Sequence, residues 1–227
     1  MAWFDRFAKN YDSWYETKLG RFVDEVEKRL IAELANFQSG EKVLDIGAGT
    51  GNYSIWLAKK GLHVTAIDQS TPMMELAKKK AYKEGLRIDW EIADAHSLPF
   101  SDESFDLVIS VTAIEFMEHP DTVLKEAMRV LRPKGRLVIG LLTKDSDWGE
   151  LYQKNSQKDS DSVFKKAHLY TEQELFQLLP QTFKLKKGLY FPPQKEFDIK
   201  AAWNIEIAKQ REQAIRAGFF ALRWDKE

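Results

Sequence analysis

The segment Val43-Leu44-Asp45-Ile46-Gly47-Ala48-Gly49-Thr50-Gly51-Asn52 constrains this chain more than any other. A short apolar run enters three alternate glycines and then a helical pattern. Glycine lets a backbone turn sharply and come close to a ligand. The helix that follows adds free N–H donors and a positive dipole end. Such a loop calls for a strand and a helix packed side by side, with any ligand at the carboxyl end of the strand.

The rest of the chain repeats that alternation. Strand candidates are Lys42–Ile46, His63–Ile67, Arg87–Ile92, Phe105–Val111 and Arg136–Leu142. Helical patterns lie between them: Gly51 to Lys60, one opening at Thr71-Pro72, and one from about Asp121 with Leu124, Ala127, Met128 and Leu131 on one face. Proline at a first helical position fits the second of these. Short continuous apolar strands alternating with helices predict an α/β, Rossmann-like doubly wound sheet, covered by helices on both faces.

Three zones follow. Residues 1–40 read as an N-terminal lid with substrate helices. It is rich in aromatics (Trp3, Phe4, Phe7, Tyr11, Trp14, Tyr15), and its helix carries Phe22, Val26, Leu30 and Leu34 before a stop at Gly40. Residues 41–143 form the core of the sheet. Residues 144–227 complete it: a polar, partly helical and mobile connection over Lys144–Lys166, a capping box at Thr171 and Glu174, a strand at Phe183–Tyr190, a helix at Ile199–Ala214 and a strand at Gly218–Trp224.

Spacing narrows the ligand. A dinucleotide fingerprint places its third glycine where this chain has Asn52, and here that glycine arrives one residue early, at Gly51. This counts against a nicotinamide-dependent oxidoreductase, one of two alternatives; the other is a non-catalytic nucleoside-binding module with a protein partner. Asp68 ends the second strand, where a carboxylate can accept from both hydroxyls of a ribose. Asp94 ends the third, inside Ala93-Asp94-Ala95-His96.

These residues resemble a known family. The loop Val43–Gly51, Asp68, Met73, Asp94-Ala95 with Leu98-Pro99-Phe100, Phe105-Asp106 and Arg129-Val130-Leu131-Arg132-Pro133-Lys134-Gly135 come in the order of class I S-adenosylmethionine-dependent methyltransferases. Within them the chain is similar to the ubiquinone/menaquinone-biosynthesis branch (methyltransferase type 11). The resemblance implies a sheet of about seven strands, mostly parallel with an antiparallel last strand. It implies S-adenosyl-L-methionine as cofactor and S-adenosyl-L-homocysteine as product. Gly47, Ala48, Gly49 and Gly51 would pass the methionine and ribose portions by backbone, with Asp45 fixing the loop and the methionine amino group. Asp68 and Gln69 would take the ribose, Met73 the adenine face, and Asp94 with Ala95 its edge. Val111 would border the methionine moiety. Lys134 departs from the family's glycine at a surface turn. Ser110–Phe116 departs from the quinone-specific segment, which puts a quinone acceptor in doubt.

Tyr11 and Glu115 are the catalytic candidates. Tyr11 lies in the segment that the resemblance brings to the site, and Glu115 follows the fourth strand, where substrates arrive. His119 reads first as a residue at a helix entrance, and Lys78-Lys79-Lys80 as a solvated face. Phe191-Pro192-Pro193 reads as a strand stop or a piece of substrate wall.

Composition sets outer limits. The chain has 227 residues, with 34 Lys and Arg against 35 Asp and Glu, which disfavours a nucleic-acid partner. With 0 Cys there is no thiolate metal site, no iron–sulfur radical chemistry and no cysteine nucleophile. No metal is expected. No stretch reaches the about 18 apolar residues of a membrane span, and Met1 to Asn10 lacks the apolar run of a secretory signal. The expectation is a cytoplasmic methyltransferase, monomer or homodimer, that acts on a small-molecule acceptor by direct in-line transfer.

Overall fold

A computed structural model describes residues 2–159, 161–212 and 214–227. The chain opens with a 3-10 turn at Asp5–Phe7 and two single-turn helices, α1 (Ala8–Tyr11) and α2 (Ser13–Glu16), which lead into α3 (Lys18–Ala35). The glycine segment joins β1 (Lys42–Ile46) to α4 (Asn52–Lys59). Then follow β2 (His63–Asp68), α5 (Thr71–Lys83), β3 (Asp89–Ile92), β4 (Phe105–Val111), α6 (Pro120–Val130) and β5 (Leu131–Leu142). The last part comprises α7 (Asp147–Lys158), α8 (Leu175–Leu178), β6 (Lys184–Gly188), α9 (Ile199–Arg211) and β7 (Phe219–Asp225).

The strands form one seven-stranded sheet in the order β3-β2-β1-β4-β5-β7-β6. β1 to β5 pair in parallel, and β7 runs antiparallel to both β5 and β6. The strand order reverses between β1 and β4, so the carboxyl ends of those two strands flank a crevice, the place where open α/β sheets bind ligands.

Alternation along the strands feeds two cores. Leu107, Ile109 and Val111 of β4 pack on one face with Phe22 and Leu30 of α3, and Val108 packs on the other with Leu124 and Ala127 of α6. The Thr17 side chain caps α3 by accepting the Gly20 N–H at 2.9 Å. Phe22, Val26, Leu30 and Ile31 are buried on one stripe, each contributing about 1.5–3 kcal/mol. The helix ends at Asn36 in the left-handed conformation, four residues before the glycine that the sequence suggests as its stop.

The connection after β5 is more ordered than its polarity suggests. Ser146 caps α7 by accepting the Gly149 N–H at 2.9 Å. Trp148 and Tyr152 are buried in the α3-side core, and the Trp148 N–H donates to the Phe191 carbonyl at 2.8 Å. Few of the described positions in this connection face inward, so the periodicity is faint in the sequence. Lys134, in the family's glycine position, has a φ of 65°, the left-handed region that glycine enters without strain.

Candidate active site

Three cavities meet above the carboxyl ends of β1, β2 and β4. The largest, about 570 Å³, is a cleft between the glycine segment, the Asp68 and Asp94 turns, and the N-terminal segment. The second, about 400 Å³, takes half of its lining residues from aromatic side chains. The third is a crevice of about 30 Å³ over the first turn of α4. Tyr11 and Thr112 line all three. Thr112 has a φ of 48°. That conformation is rare for a β-branched residue and is held here where β4 delivers its end to the ligand space.

The glycines differ in what they do. Gly47 has a φ of 74°, and a Cβ on it would stand 2.5 Å from the Ala113 side chain. Gly49, with a φ of 55°, would place a Cβ with no atom within 4 Å, and it lines both the cleft and the crevice. Gly51 lines none of the three cavities; its Cβ would press on Trp90 at 2.7 Å and Ala77 at 2.9 Å. Its place is set by the packing of α4 against α5 and β3, not by the ligand space. No side chain caps α4, and its first turn borders the crevice.

Asp68 accepts the Gly49 N–H at 2.8 Å and the Ser70 N–H at 2.8 Å. Burial raises its carboxyl above the ordinary range, against the pull of those donors. Gln69, Met73, Asp94 and Ala95 line the same cleft. The His96 backbone N–H, and then its ring, hold Asp94 below the ordinary range. Asp45 borders the crevice, with Ala48 and Val111. Its carboxylate accepts the Ser54 hydroxyl at 2.5 Å, and burial pushes its pKa up to about 7.

The N-terminal segment closes over these residues. The Ser70 hydroxyl donates to Asp5 at 2.7 Å, the Thr50 hydroxyl to Asp12 at 2.6 Å, and the Lys80 ammonium to Asp12 at 2.7 Å. Lys80 therefore leaves the solvated face that its lysine neighbours suggest. Phe4 meets Phe116 edge to face, with ring centroids 4.9 Å apart.

The two catalytic candidates part company. Tyr11 sits where the cavities join, and burial raises its hydroxyl to about 12. Glu115 lines none of the three. One of its oxygens accepts the Leu142 N–H, the other has no partner, and burial pushes its pKa up to about 8. His119, read first as a residue at a helix entrance, lines the cleft, and so do residues that the sequence did not single out for the site: Thr112 and Phe116 from β4 onward, with Trp148 and Tyr152 of α7 and Glu27 of α3 at the second cavity. Among these only Glu27 carries a readable signal, an acid inside an apolar helix stripe.

The residues in the cleft fit an adenosyl cofactor. Gly49 leaves open space where a Cβ would stand, and Asp68 presents a carboxylate at the end of β2. The comparisons agree with the geometry. A family model described as a methyltransferase domain matches residues 44–139. An uncharacterised protein of Methanocaldococcus jannaschii is 32% identical over 183 residues, covering 80% of each chain. A demethylmenaquinone methyltransferase of Thermotoga maritima is 38% identical over 141 residues, 61% of this chain and 59% of that one. This chain thus spans well under two thirds of that relative. Among solved structures, a Thermotoga maritima protein described as a SAM-dependent methyltransferase, possible histamine N-methyltransferase, is 26% identical with a TM-score of 0.74, covering 99% of this chain and 98% of its own. The fold and the cleft define an α/β protein built for an adenosyl ligand. Residues 44–139 carry a methyltransferase domain, and over nearly its whole length the chain is similar to a SAM-dependent methyltransferase.

Proposed function

We propose that this chain transfers a methyl group from S-adenosylmethionine to a small, largely apolar acceptor held in the aromatic cavity. The supporting observation is the meeting of a cofactor-sized cleft and a separate aromatic cavity at Tyr11 and Thr112. Bound there, the cofactor supplies an electrophilic methyl group on a sulfonium. The chain supplies position and dryness, which can carry most of such a displacement.

In this reading Gly47, Ala48 and Gly49 pass the cofactor by backbone, and Asp45 with the uncapped first turn of α4 holds its amino-acid end. Asp68 and Gln69 take the ribose, and Met73, Asp94 and Ala95 the adenine. Gly51 sets the loop's shape. Tyr11 keeps its proton at neutral pH, so it orients ligands through its hydroxyl and ring and does not act as a base. Glu115 is a positioning residue: by accepting the Leu142 N–H it fixes the end of β5, and Leu142 lines the acceptor cavity. Among the described residues, no helix is long and apolar enough to cross a membrane. We place the reaction in the cytoplasm, with the chain as monomer or homodimer.

Calorimetry with S-adenosylhomocysteine tests the reading, followed by a screen of acceptors with labelled cofactor. Micromolar binding and label on a small molecule are the expected results. A folded protein that takes up no S-adenosylhomocysteine overturns it.

A further inference from the structure

Glu27 is an acid in a box of rings. It sits on the buried stripe of α3 with 4% of its surface exposed and lines the aromatic cavity beside Tyr11, Tyr15, Trp148, Tyr152 and Phe164. The Tyr53 hydroxyl donates to it at 3.2 Å. Tyr53 also lines the crevice next to the glycine segment, as do Tyr11 and Tyr15. Glu27 is therefore one hydrogen bond from a residue of the crevice that the proposed cofactor site borders.

The charges around it favour a cation. Asp24 and Lys28 of its own helix pair with each other at 2.7 Å. Glu115 adds a second carboxyl from beyond β4. Arg6 is the basic residue among those lining the cavity, and it is committed to Asp161 at 3.2 Å and to the face of Trp3 at 4.1 Å. Ring faces attract cationic groups, and a buried carboxylate calls for a charged partner. A neutral acceptor would leave Glu27 as the protonated acid, and only a cationic one stabilises its ionised form.

We propose that the acceptor is an amine, which enters the aromatic cavity as an ammonium ion and is received by the carboxylate of Glu27. The inference rests on the methyltransferase reading above. Glu27 then takes a proton from the ammonium and so frees the nitrogen lone pair. The nitrogen forms the new C–N bond as the S–CH₃ bond breaks; that electron pair stays on sulfur, and the positive charge passes from sulfur to nitrogen. Burial, Asp24 and Glu115 raise Glu27 to about 8 before the amine arrives. At neutral pH the empty cavity therefore holds the neutral acid, and a bound ammonium must displace its proton to solvent.

The test uses phenethylamine, 2-phenylethanol and phenylacetate as matched probes, titrated into the full chain saturated with S-adenosylhomocysteine, in buffers of different ionisation enthalpy. The amine should bind at least about 10-fold more tightly than the alcohol, with phenylacetate weakest. Its binding should release about one proton at pH 7. In Glu27→Gln the amine should lose about 100-fold in affinity, and the proton release should vanish, with S-adenosylhomocysteine binding unchanged. With labelled S-adenosylmethionine the label should appear on nitrogen. An amine that binds no better than the alcohol, or a preference that survives in Glu27→Gln, overturns the inference. If that variant does not fold, the wild-type series and its proton count decide. Failure to bind S-adenosylhomocysteine at all would instead overturn the methyltransferase reading beneath it.

Discussion

The Thr50 hydroxyl donates to the Asp12 carboxylate at 2.6 Å, and this bond joins the N-terminal segment to the glycine loop. The other Asp12 oxygen takes the Lys80 ammonium at 2.7 Å, and Lys80 also donates to Asn52 at 2.8 Å. One carboxylate thus ties the N-terminal segment to both helices that flank the cleft. Asp12→Ala should leave the sheet intact and weaken S-adenosylhomocysteine binding about 10-fold, the scale of one or two charge-assisted hydrogen bonds. Amide exchange over residues 3–16 should quicken in the same variant. Unchanged exchange there would show that this carboxylate does not hold the N-terminal segment in place.

In the proposed site Asp68 has two kinds of work, and substitution separates them. Its oxygens accept the Gly49 and Ser70 N–H groups within the protein and face the cleft with what remains. Asp68→Ala should cut S-adenosylhomocysteine affinity about 100-fold and also lower stability by about 1–3 kcal/mol, since two backbone donors lose their acceptor. Asp68→Asn keeps one acceptor oxygen and should fall between. Calorimetry and thermal denaturation of the two variants check the order; an Asp68→Ala protein with native affinity would remove Asp68 from the cofactor site.

The sheet was legible because β1, β2, β4 and the second half of β5 are short apolar runs, and the cleft because its parts lie at strand ends in a fixed order. The aromatic cavity was not. Its walls come from Phe4, Tyr15, Glu27, Thr112 and Trp148, which lie far apart in the chain and share no spacing. Trp3, Phe4 and Phe7 show no spacing that assigns each to a wall, yet Trp3 and Phe4 line the cleft, and Phe4 and Phe7 the aromatic cavity. Glu115 shows the opposite error. Its position after β4 pointed to the substrate, but the 3-10 turn at Ile114–Phe116 sends Phe116 to the cavities and Glu115 back toward β5. A single turn sets that direction, and no periodicity records it.

The glycine loop carries the same lesson into experiment. Sequence reading treats Gly49 and Gly51 alike, and the structure separates them. Gly49→Ala meets no neighbour, so its cost to stability is confined to the strain of a positive φ, about 1 kcal/mol. Its methyl would occupy ligand space, and S-adenosylhomocysteine binding should drop at least about 10-fold. Gly51→Ala drives a Cβ into Trp90 and Ala77 and should cost about 2–4 kcal/mol of stability. Denaturant titration of both variants, with calorimetry of whatever folds, distinguishes a binding defect from a folding defect.

Buried acids also fix how stability follows pH. Glu27 and Glu115 are raised from 4.5 to about 8, and Asp45 from 3.8 to about 7, each chiefly by burial. A raised carboxyl binds its proton more tightly in the folded chain than in the unfolded one. As pH climbs from the ordinary carboxylate range toward 8, the unfolded chain ionises first, and stability falls. Arg136 works in the other direction: it pairs with Glu41 at 2.7 Å and helps hold that carboxyl below the ordinary range, and this contribution is lost only in stronger acid. The denaturation midpoint should therefore be higher near about pH 5.5 than near about pH 8.5. Glu115→Gln isolates one group. The glutamine carbonyl can still accept the Leu142 N–H, and no charge can form beside the partnerless oxygen position. The variant should gain about 1–2 kcal/mol over wild type at about pH 8.5 and little at about pH 5.5. A pH profile parallel to wild type would show that Glu115 ionises freely in the folded chain.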